Sequence, residues 1–269
     1  MSADGNPSVA RVGVVTPTLN AEGFFDETLR SIWSQQSDLL QIDHVVVDGG
    51  STDRTLEIVA RYPSRIVESP DDRGMYDAVN RGLAMVEGDI IGYINADDEI
   101  GPGAFRAIVD AFAARSQSGW LCGRVEYIDA NGKVLGRMQP VNLTLRSYIG
   151  LGWSCIPQQT VWVRRSFWNR VGVFDIDYKN CGDYDWYARA LRLQHPLILH
   201  QTLGRFRLHP AQLSLDAEKM ERESRMVQER NGGRDTIGMV RGRILSLRLN
   251  ARNPAWLVAK KRGRISFSL

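Results

Sequence analysis

Short runs of consecutive apolar residues alternate with amphipathic stretches along the first hundred positions of the chain. The apolar runs span residues 12–17, 44–50 and 89–95, and a weaker run spans 64–69. Strands that are covered on both faces of a parallel sheet show this continuous apolarity, whereas half-exposed strands alternate. We therefore predict that these four runs form strands of a parallel sheet.

The segments between these strands carry apolar residues at helical spacing. The first helical pattern runs from Phe25 to Trp33, the second follows Asp53 as a candidate N-cap, and the third runs from Met75 to Val86. Strand and helix thus alternate as they do in right-handed βαβ units. The pattern predicts the α/β class, with an open, doubly wound, mainly parallel sheet.

The pattern becomes mixed after residue 100. It predicts a helix over 103–115, a hairpin turn at Asn131-Gly132, a short strand over 160–163 and a helix that begins at 182–184. A hairpin is antiparallel, so we expect the later half of the sheet to be mixed. Beyond it, a charged helix to about residue 230 and a second helix after a glycine-rich break predict a helical tail.

The charge of the chain is divided unevenly between its body and its tail. The 269 residues have a formal net charge of +3, and 43% hydrophobic with 24% charged residues is ordinary for a soluble globular protein. Residues 219–269 contain 13 basic and 4 acidic residues, however, and no Asp or Glu follows Asp235. Such an excess of positive charge favours binding of the tail to an anionic surface, such as the inner leaflet of a membrane.

The second tail helix admits two interpretations. Its apolar residues recur at helical spacing and its arginines lie on another face; these are Val240, Ile244, Leu247 and Ala251, against Arg241, Arg248 and Arg252. Either the helix lies on anionic lipid, anchored by Trp256, or its apolar face packs on the domain and only the arginines are exposed. Nucleic acid binding is not expected, because no recognised motif accompanies the charge.

The three cysteines, Cys122, Cys155 and Cys181, have neither a CxxC pair nor metal-ligand spacing. The first residues lack the apolar core of a signal peptide, and no apolar run approaches the roughly 20 residues needed to span a bilayer. We therefore expect a cytoplasmic protein, with peripheral attachment to the inner face of the membrane through its tail.

Polar residues cluster where the predicted strands end. They are Thr16, Pro17, Thr18 and Asn20 after the first strand, Asp48 to Asp53 after the second, and Asn95, Asp97 and Asp98 after the last. The second cluster alone is equally well explained as a tight turn and helix cap. In an open α/β sheet, however, ligands bind at the carboxyl ends of the strands, and all three clusters converge there.

Six segments of the chain, in order, resemble the family-2 glycosyltransferases with a GT-A fold. They are "VVTPTLN", "VVVDGGSTDRT", "ESPDDRGMYDAVNRGLAMVEGDIIGYINADDE", "PQQTVWVRRSFWNRVGVFD", "GDYDWYARAL" and "RFRLHPAQLS". The resemblance implies a flexible N-terminus over 1–10, a GT-A catalytic domain over 11–215, and a basic helical extension over 216–269. Within the domain it implies a nucleotide-binding half over 11–100 and an acceptor half over 101–215.

The resemblance also implies a donor site for a nucleotide-diphosphate sugar, with a UDP-sugar favoured. It places Thr16, Pro17 and Asn20 beside the nucleotide, and Asp48, with Ser51 near it, at the base. The second wall of the site would be built by Asp71, Arg73, Gly74, Tyr76, Asp77 and Asn80.

A metal site follows from the same resemblance, because Asn95-Ala96-Asp97 falls at the DxD motif of the family. Asp97, helped by Asp98, would hold Mg²⁺ or Mn²⁺ against the diphosphate, which leaves with growing negative charge. In the late basic motif, Arg207 and His209 would reach the diphosphate or the metal. Asn95 departs from the family pattern and removes one negative charge.

Inverting transfer requires a carboxylate that takes the proton of the acceptor hydroxyl. The resemblance places Asp183 at the catalytic aspartate, with Asp185 as second choice and Gly182 in place of the usual acidic neighbour. Read alone, both acids would be explained as helix caps. The resemblance also places Gln159 at the donor and acceptor pocket.

The sequence therefore predicts an inverting, metal-dependent glycosyltransferase with a saccharide or lipid-linked acceptor. A nucleotidyltransferase and a degenerate, non-catalytic sugar-binding protein on the same fold stay open as alternatives, the latter because of Asn95 and Gly182. A Rossmann dehydrogenase is not expected, because "TPTLNAEG" after the first strand is not a GxGxxG motif. The oligomeric state is not predicted.

Overall fold

The architecture was analysed in a computed structural model, which describes residues 9–210, 212 and 216–261. Residues 1–8 of the predicted flexible N-terminus lie outside the described residues. The same holds for four positions of the late basic motif and its surroundings, residue 211 and residues 213–215, and for the last basic residues, 262–269.

A nine-stranded mixed sheet forms the centre of the molecule. Its strands are β1 (Ala10–Thr18), β2 (Leu40–Asp48), β3 (Arg65–Glu68), β4 (Ile90–Tyr93), β5 (Glu99–Ile100), β6 (Trp120–Ile128), β7 (Val134–Met138), β8 (Trp162–Arg164) and β9 (Leu197–Arg207). The order across the sheet is β3-β2-β1-β4-β8-β6-β9-β5, and β7 pairs with β6.

The first four strands are parallel, as the sequence predicts. From β4 onward the pairings are mixed. Strands β4 and β8, β8 and β6, and β5 and β9 pair antiparallel, whereas β6 and β9 are parallel. The predicted hairpin at Asn131-Gly132 joins β6 to β7. A mainly parallel first half with a mixed second half is thus confirmed.

Ten helices accompany the sheet in the described part of the chain. They are α1 (Phe25–Trp33), α2 (Thr55–Val59), α3 (Met75–Met85), α4 (Ala104–Ala114), α5 (Leu145–Leu151), α6 (Arg165–Val171), α7 (Gly182–Leu193), α8 (Ala217–Arg230), α9 (Thr236–Arg252) and α10 (Pro254–Lys261). The sequence did not predict α5, α6 or α10, and it did not predict β5 or β9.

Two local predictions need correction. The N-cap of α2 is Arg54 and not Asp53, although the carboxylate of Asp53 accepts the backbone N–H of Thr55. The strand predicted over 160–163 is shifted, because Gln158–Thr160 forms a 3-10 turn and β8 begins at Trp162. The side chains of that turn are buried although they are polar. The start of the strand therefore could not be located from the apolar residues on which the prediction depended.

Helices cover both faces of the sheet, and this explains the continuous apolar runs. Val14 and Val15 are neighbours on β1 and point to opposite faces, yet both are fully buried. Val14 packs in a cluster with Phe105 of α4, whereas Val15 packs in a cluster with Val79 of α3. Residues on both faces must therefore be apolar.

The tail packs on α5 through α9, but not with the apolar face that the sequence offered as one possibility. The buried residues of α9 are Gly238, Gly242, Leu245 and Leu249, which lie on α5, whereas Val240, Ile244 and Leu247 are exposed. Gly150 of α5 and Gly242 bring the two backbones together: a Cβ atom on Gly242 would lie 2.2 Å from the carbonyl carbon of Gly150. None of the helices within the described residues is long and apolar enough to cross a membrane.

Candidate active site

A cleft with a volume of about 890 Å³ opens at the carboxyl ends of the parallel strands. On one side it is lined by the end of β1 and by the loops after β1 to β4, among them Pro17, Asn20, Gly49, Pro70 and Asp97. On the other side it is lined by residues of β6, β7, α7, α8 and α10 and of the segment before the 3-10 turn, among them Tyr127, Met138, Trp153, Asp183, Met220 and Trp256. The helical tail therefore contributes to the cleft wall.

Three side-chain oxygen atoms of cleft residues are buried without a hydrogen-bond partner in the described part of the chain. These atoms are Oγ1 of Thr18, Oδ1 of Asn95 and Oε1 of Gln158. A buried polar atom that stays unpaired is destabilising by about 1–3 kcal/mol, so proteins rarely keep one without a reason. Three such atoms in one cleft indicate that it binds a polar ligand.

Asp97 and His209 lie together at the cleft. Oδ2 of Asp97 is 2.9 Å from Nε2 of His209, and both residues line the cleft. The loop after β4 carries Asp97, and the segment after β9 carries His209, so the pairing of β5 with β9 brings the two segments together. The ring of Phe24 packs against His209 with 5.0 Å between centroids and fixes its position.

This pair fits a hard divalent cation that also binds a diphosphate. Magnesium-type ions are held by one or two protein ligands together with substrate phosphates and water. Asp97 supplies an oxygen and His209 a nitrogen, and the unpaired Oδ1 of Asn95 is two residues away in the same turn. Among the described residues, no cluster of three or more His, Cys, Asp or Glu side chains could hold a metal without such help.

Asp98 does not face the cleft, contrary to its predicted role as a metal ligand. The residue is fully buried; its Oδ1 accepts the backbone N–H of Arg207 at 2.9 Å, and its Oδ2 accepts Nε2 of Gln159 at 2.8 Å. Burial, and then the neighbouring charge of Asp97, raise the pKa of Asp98 well above its usual range. The structure therefore places Asp98 as an anchor of the loop.

Arg207 braces the same loop from within the protein and does not line the cleft. Its buried guanidinium donates to the carbonyl of Asp97 at 2.9 Å and to Oε1 of Glu99 at 2.6 Å, and it lies 4.7 Å from the ring of Phe24. The predicted contact with a diphosphate is therefore not available to it. Gln159, the partner of Asp98, does line the cleft.

Asp183 stands on the other side of the cleft, in the first turn of α7. Its Oδ1 accepts the backbone N–H of Tyr184 at 2.7 Å and lies 3.3 Å from the hydroxyl of Tyr76. No donor within the described residues reaches Oδ2, which leaves that oxygen for a ligand. Burial raises the pKa of Asp183 to about 6. This carboxylate is therefore ionised at neutral pH but is a stronger base than an exposed aspartate.

Asp185 is directed away from the cleft. It is buried, and its Oδ2 accepts Nε of Arg189 at 2.8 Å, one helical turn later in α7. The arginine in turn donates to the carbonyls of Val171 and Val173. The alternative prediction of Asp185 as the base is therefore not supported, and the side chain ties α7 to the end of α6.

Part of the predicted nucleotide site lines the cleft. Of the residues that the resemblance assigned to it, those on the cleft are Pro17, Asn20, Gly74, Tyr76, Asn95, Ala96 and Gln159. Asn20 also holds the glycine-rich loop, because its Oδ1 accepts the backbone N–H of Thr52. The side chain of Asn20 thus joins the loops after β1 and β2.

Of the other predicted nucleotide residues, Asp71 and Arg73 are exposed beside the cleft. The rest form contacts within the protein. The hydroxyl of Thr16 lies 3.0 Å from Nε2 of His44, whose pKa burial lowers to about 3. The remaining four form local contacts: Asp48 accepts the N–H groups of Gly50 and Ser51, Ser51 donates to Asp48, Asp77 pairs with Arg81, and Asn80 holds the backbone of Phe174.

Two residues of the site were missed by sequence reasoning. Lys179 lines the cleft and donates from Nζ to the carbonyls of Arg73 and Ile176. Glu223 of α8 is buried, and its carboxylate accepts the backbone N–H groups of residues 179, 180 and 181, just before α7. The acid sits in a charged helical pattern, and nothing in that pattern distinguishes it from its exposed neighbours.

Solved structures with a similar fold are glycosyltransferases. TarS 1–349 of S. aureus, in complex with UDP-GlcNAc, superposes with a TM-score of 0.61 at 20% identity over 83% of this chain and 72% of its own. The mannosyltransferase PcManGT of Pyrobaculum calidifontis, in complex with GDP-Man and Mn²⁺, gives a TM-score of 0.61 at 19% identity over 99% and 79%. In the superposition with a further structure of TarS 1–349, this chain spans 64% of that chain. The predicted GT-A fold is confirmed.

Sequence comparison gives the same assignment. An uncharacterized glycosyltransferase of Mycobacterium tuberculosis is 26% identical over 203 residues, which are 74% of this chain and 76% of the relative. A PGL/p-HBAD biosynthesis glycosyltransferase of Mycobacterium bovis is 29% identical over 183 residues, 66% of this chain and 68% of the relative. The sequence profile named Glycosyl transferase family 2 matches residues 13–171, more than half of the chain. The chain therefore belongs to glycosyl transferase family 2.

Proposed function

We propose that the protein transfers a sugar, with inversion, from a nucleotide-diphosphate sugar to a saccharide or lipid-linked acceptor at the cytoplasmic face of the membrane. The observation that carries this proposal is the placement of Asp183 and the Asp97–His209 pair in one cleft. One group is suited to accept a proton and the other to hold a cation beside a diphosphate. The unpaired atoms of Thr18, Asn95 and Gln158 support a polar ligand between them.

The proposed reaction forms one glycosidic bond and breaks one bond to phosphate. The acceptor oxygen attacks the anomeric carbon, its proton passes to Oδ2 of Asp183, and the electron pair of the broken bond leaves with the nucleoside diphosphate. A pKa of about 6 suits this role, because general bases work best when their pKa lies near the operating pH. Tyr76 and the backbone of Tyr184 hold Oδ1, so that the free Oδ2 has a fixed direction.

Asp97 and His209 would hold Mg²⁺ or Mn²⁺, with Asn95 beside them. A hard dication supplies Lewis-acid stabilisation of the charge that develops on a leaving diphosphate. Asp98 and Arg207 contribute by fixing the loop of Asp97 through the backbone of β9 and the carbonyl of Asp97. A UDP-sugar is our favoured donor; TarS is described with UDP-GlcNAc, and the mannosyltransferase with GDP-Man and Mn²⁺.

The cleft side that faces the tail suits the acceptor. It is lined by apolar and aromatic residues, among them Met138, Trp153, Phe206, Met220 and Trp256. Aromatic rings stack on the apolar faces of sugars and also pack against lipid. This surface supports either form of the proposed acceptor, and it lies across the cleft from the loops after β1 and β2.

Donor hydrolysis without acceptor tests the proposal. We expect release of nucleoside diphosphate from at least one of UDP-GlcNAc, UDP-glucose and GDP-mannose with Mn²⁺, and a fall of about 10²–10⁴-fold in Asp183→Asn with donor binding retained. Asp110→Asn, at an exposed carboxylate of α4, is the matched control and should keep full activity. Donor binding with no turnover in the wild-type protein would favour the non-catalytic alternative. Release of pyrophosphate from a nucleoside triphosphate and a sugar 1-phosphate would favour the nucleotidyltransferase.

A further inference from the structure

Helix α9 has two apolar faces, and only one of them is covered. The covered face packs on α5 through Gly238, Gly242, Leu245 and Leu249. Successive residues of a helix are rotated by about 100° around its axis. On a helical wheel drawn with this angle, the remaining apolar residues of α9 lie nearly opposite the covered face. These are Ile237, Val240, Ile244 and Leu247, which we call the α9 stripe.

The α9 stripe is strongly exposed. Its four side chains belong to residues with relative exposures of 53, 51, 51 and 69%. Single exposed apolar residues are normal on protein surfaces, but a contiguous row along three turns of one helix is a sign of an interaction site. Ala251, one turn beyond Leu247, extends the row and is also exposed.

Arginines border the stripe on both edges. On the helical wheel, Arg241 and Arg248 follow one edge and Arg243 lies beyond the other, and all three are exposed. The sequence contains no acidic residue after Asp235, the N-cap of α9, whose carboxylate lies near Arg241 but already pairs with Arg146; Arg243 and Arg248 have no carboxylate on the helix. Long basic side chains beside an apolar strip can reach the phosphate level of a bilayer while the strip enters the acyl boundary.

The stripe is held outward by the packing of α9. A Cβ atom on Gly150 would lie 1.8 Å from the carbonyl oxygen of Gly238, so the backbones of α5 and α9 are in direct contact. The carboxylate of Asp235 caps α9 by accepting the N–H of Gly238, and it also pairs with Arg146 of α5. The helix therefore cannot rotate to bury the stripe without losing these contacts.

We propose that the α9 stripe is a docking surface for an anionic lipid bilayer, in which α9 lies parallel to the membrane plane. Charge complementarity selects this partner over a second copy of the chain. In a symmetric pair of α9 helices, arginines on the edges of one helix would meet arginines of the other, with no acid on either helix to offset them. The phosphates of an anionic bilayer instead offset all three charges.

The helix that carries the α9 stripe is joined to the cleft wall by a short stretch of sequence. Helix α10 begins two residues after α9 ends, and its Trp256 is buried in the cleft wall. The tail that carries the stripe therefore also forms part of the cleft wall. Docking itself is independent of the proposed reaction and can be measured without a donor.

Co-sedimentation of the full chain with vesicles tests this inference. We expect binding to vesicles of phosphatidylcholine with 30% phosphatidylglycerol, weak binding to pure phosphatidylcholine, and release from the former at high salt. Arg241→Gln, Arg243→Gln and Arg248→Gln should each weaken binding about fivefold. Ile244→Ser/Leu247→Ser should weaken it at least tenfold, because both side chains leave the acyl boundary. The matched controls are Arg115→Gln and Val173→Ser/Leu193→Ser, at exposed positions outside α9.

Two results would overturn the inference. One is equal sedimentation of the wild-type chain with neutral and anionic vesicles, or none with either. The other is a dimer in analytical ultracentrifugation that Ile244→Ser/Leu247→Ser dissociates, in a protein that ignores vesicles; this would assign the stripe to a second copy. Donor hydrolysis in vesicle-free buffer, unchanged in the stripe variants, distinguishes failure of this inference from failure of the proposed reaction.

Discussion

The hydroxyl of Tyr76 accepts the backbone N–H of Asp183 at 3.2 Å and lies 3.3 Å from Oδ1 of the same residue. One side chain from α3 thus fixes both the start of α7 and the carboxylate that we assign as the base. The contact spans 107 positions of sequence. It connects α3 to α7 through one phenol group.

The first prediction concerns the pH dependence of turnover. The hydrogen bond from Tyr76 favours the charged carboxylate and lowers the pKa of Asp183, against the larger rise due to burial. Tyr76→Phe removes that bond, so the pKa rises further above 6 and the acidic limb of the kcat profile moves to higher pH. We expect a loss of about tenfold at pH 6 and a smaller loss at pH 8. Tyr62→Phe, at a tyrosine bonded to Asp26, is the control; an unmoved limb would contradict the assignment.

The second prediction concerns stability. The folded-state pKa of Asp183 is about 6, above the usual 3.8, so folding favours its protonated form. Its contribution to the free energy of unfolding therefore falls as pH rises from about 4 to about 6. Asp183→Asn removes this charge and should raise the Tm at pH 7 by about 2–6 °C, with little change at pH 4. Thermal unfolding at both pH values checks this, and a lower Tm at pH 7 would refute it.

The third prediction concerns Gly182. A Cβ atom there would lie 2.7 Å from the ring of Tyr76, so the ring occupies the space that an acidic neighbour would need. Gly182→Ala should displace the ring, destabilise the protein by about 1–3 kcal/mol and lower kcat at least tenfold. Gly23→Ala, where no atom lies within 4 Å of the added methyl group, should leave urea unfolding unchanged. An active Gly182→Asp variant would show that the ring of Tyr76 does not restrict which residue can occupy position 182.

The fourth prediction concerns Glu223. Its carboxylate holds three consecutive backbone N–H groups in front of α7, and Glu223→Ala leaves those donors without their acceptor. We expect destabilisation of about 1–3 kcal/mol and a loss of at least tenfold in kcat, with Mn²⁺ affinity unchanged. Glu221→Ala, at an exposed acid of the same helix, serves as control. Loss of Mn²⁺ affinity in Glu223→Ala would mean that α8 supports the whole cleft and not the base alone.

The fifth prediction separates the two adjacent carboxylates. Asp97→Asn should weaken Mn²⁺ binding in calorimetry by at least tenfold and leave the Tm nearly unchanged, because its carboxylate is partly exposed. In Asp98→Asn, an amide replaces the carboxylate that accepts two hydrogen bonds, and its NH₂ group cannot accept either of them. We therefore expect the free energy of unfolding to fall by about 1–3 kcal/mol, while the folded variant keeps its metal affinity. The reverse pattern would restore Asp98 as the ligand.

Most of the fold could be predicted because its first half follows local rules. The apolar runs of β1, β2 and β4 and the helical spacing of α1 and α3 each appear within one short window of sequence. The elements that were missed depend on distant partners. Strand β5 has only two residues and exists because it pairs with β9, and α5 is held by α9.

The site was predictable in its positions but not in its orientations. Asp97, Asp183 and His209 reach the cleft, whereas Asp98, Asp185 and Arg207 turn inward to partners that no local pattern reveals. Adjacent carboxylates on a tight turn point to different sides, so a motif of consecutive acids does not tell which one is available. The sequence left open whether the apolar face of α9 packs on the domain; the structure leaves that face exposed, and two glycines and two leucines form the packed face instead.

The buried Arg207 has a consequence for how the protein is made. Its guanidinium and backbone hold the loop of Asp97 and Asp98, yet it lies at the end of the last strand, 110 positions after Asp97. A nascent chain can therefore form its first four parallel strands on the ribosome while the loop of Asp97 and Asp98 is still unsupported. Competence for the proposed chemistry would arrive only when β9 joins the sheet, late in synthesis and shortly before the stripe of α9 emerges.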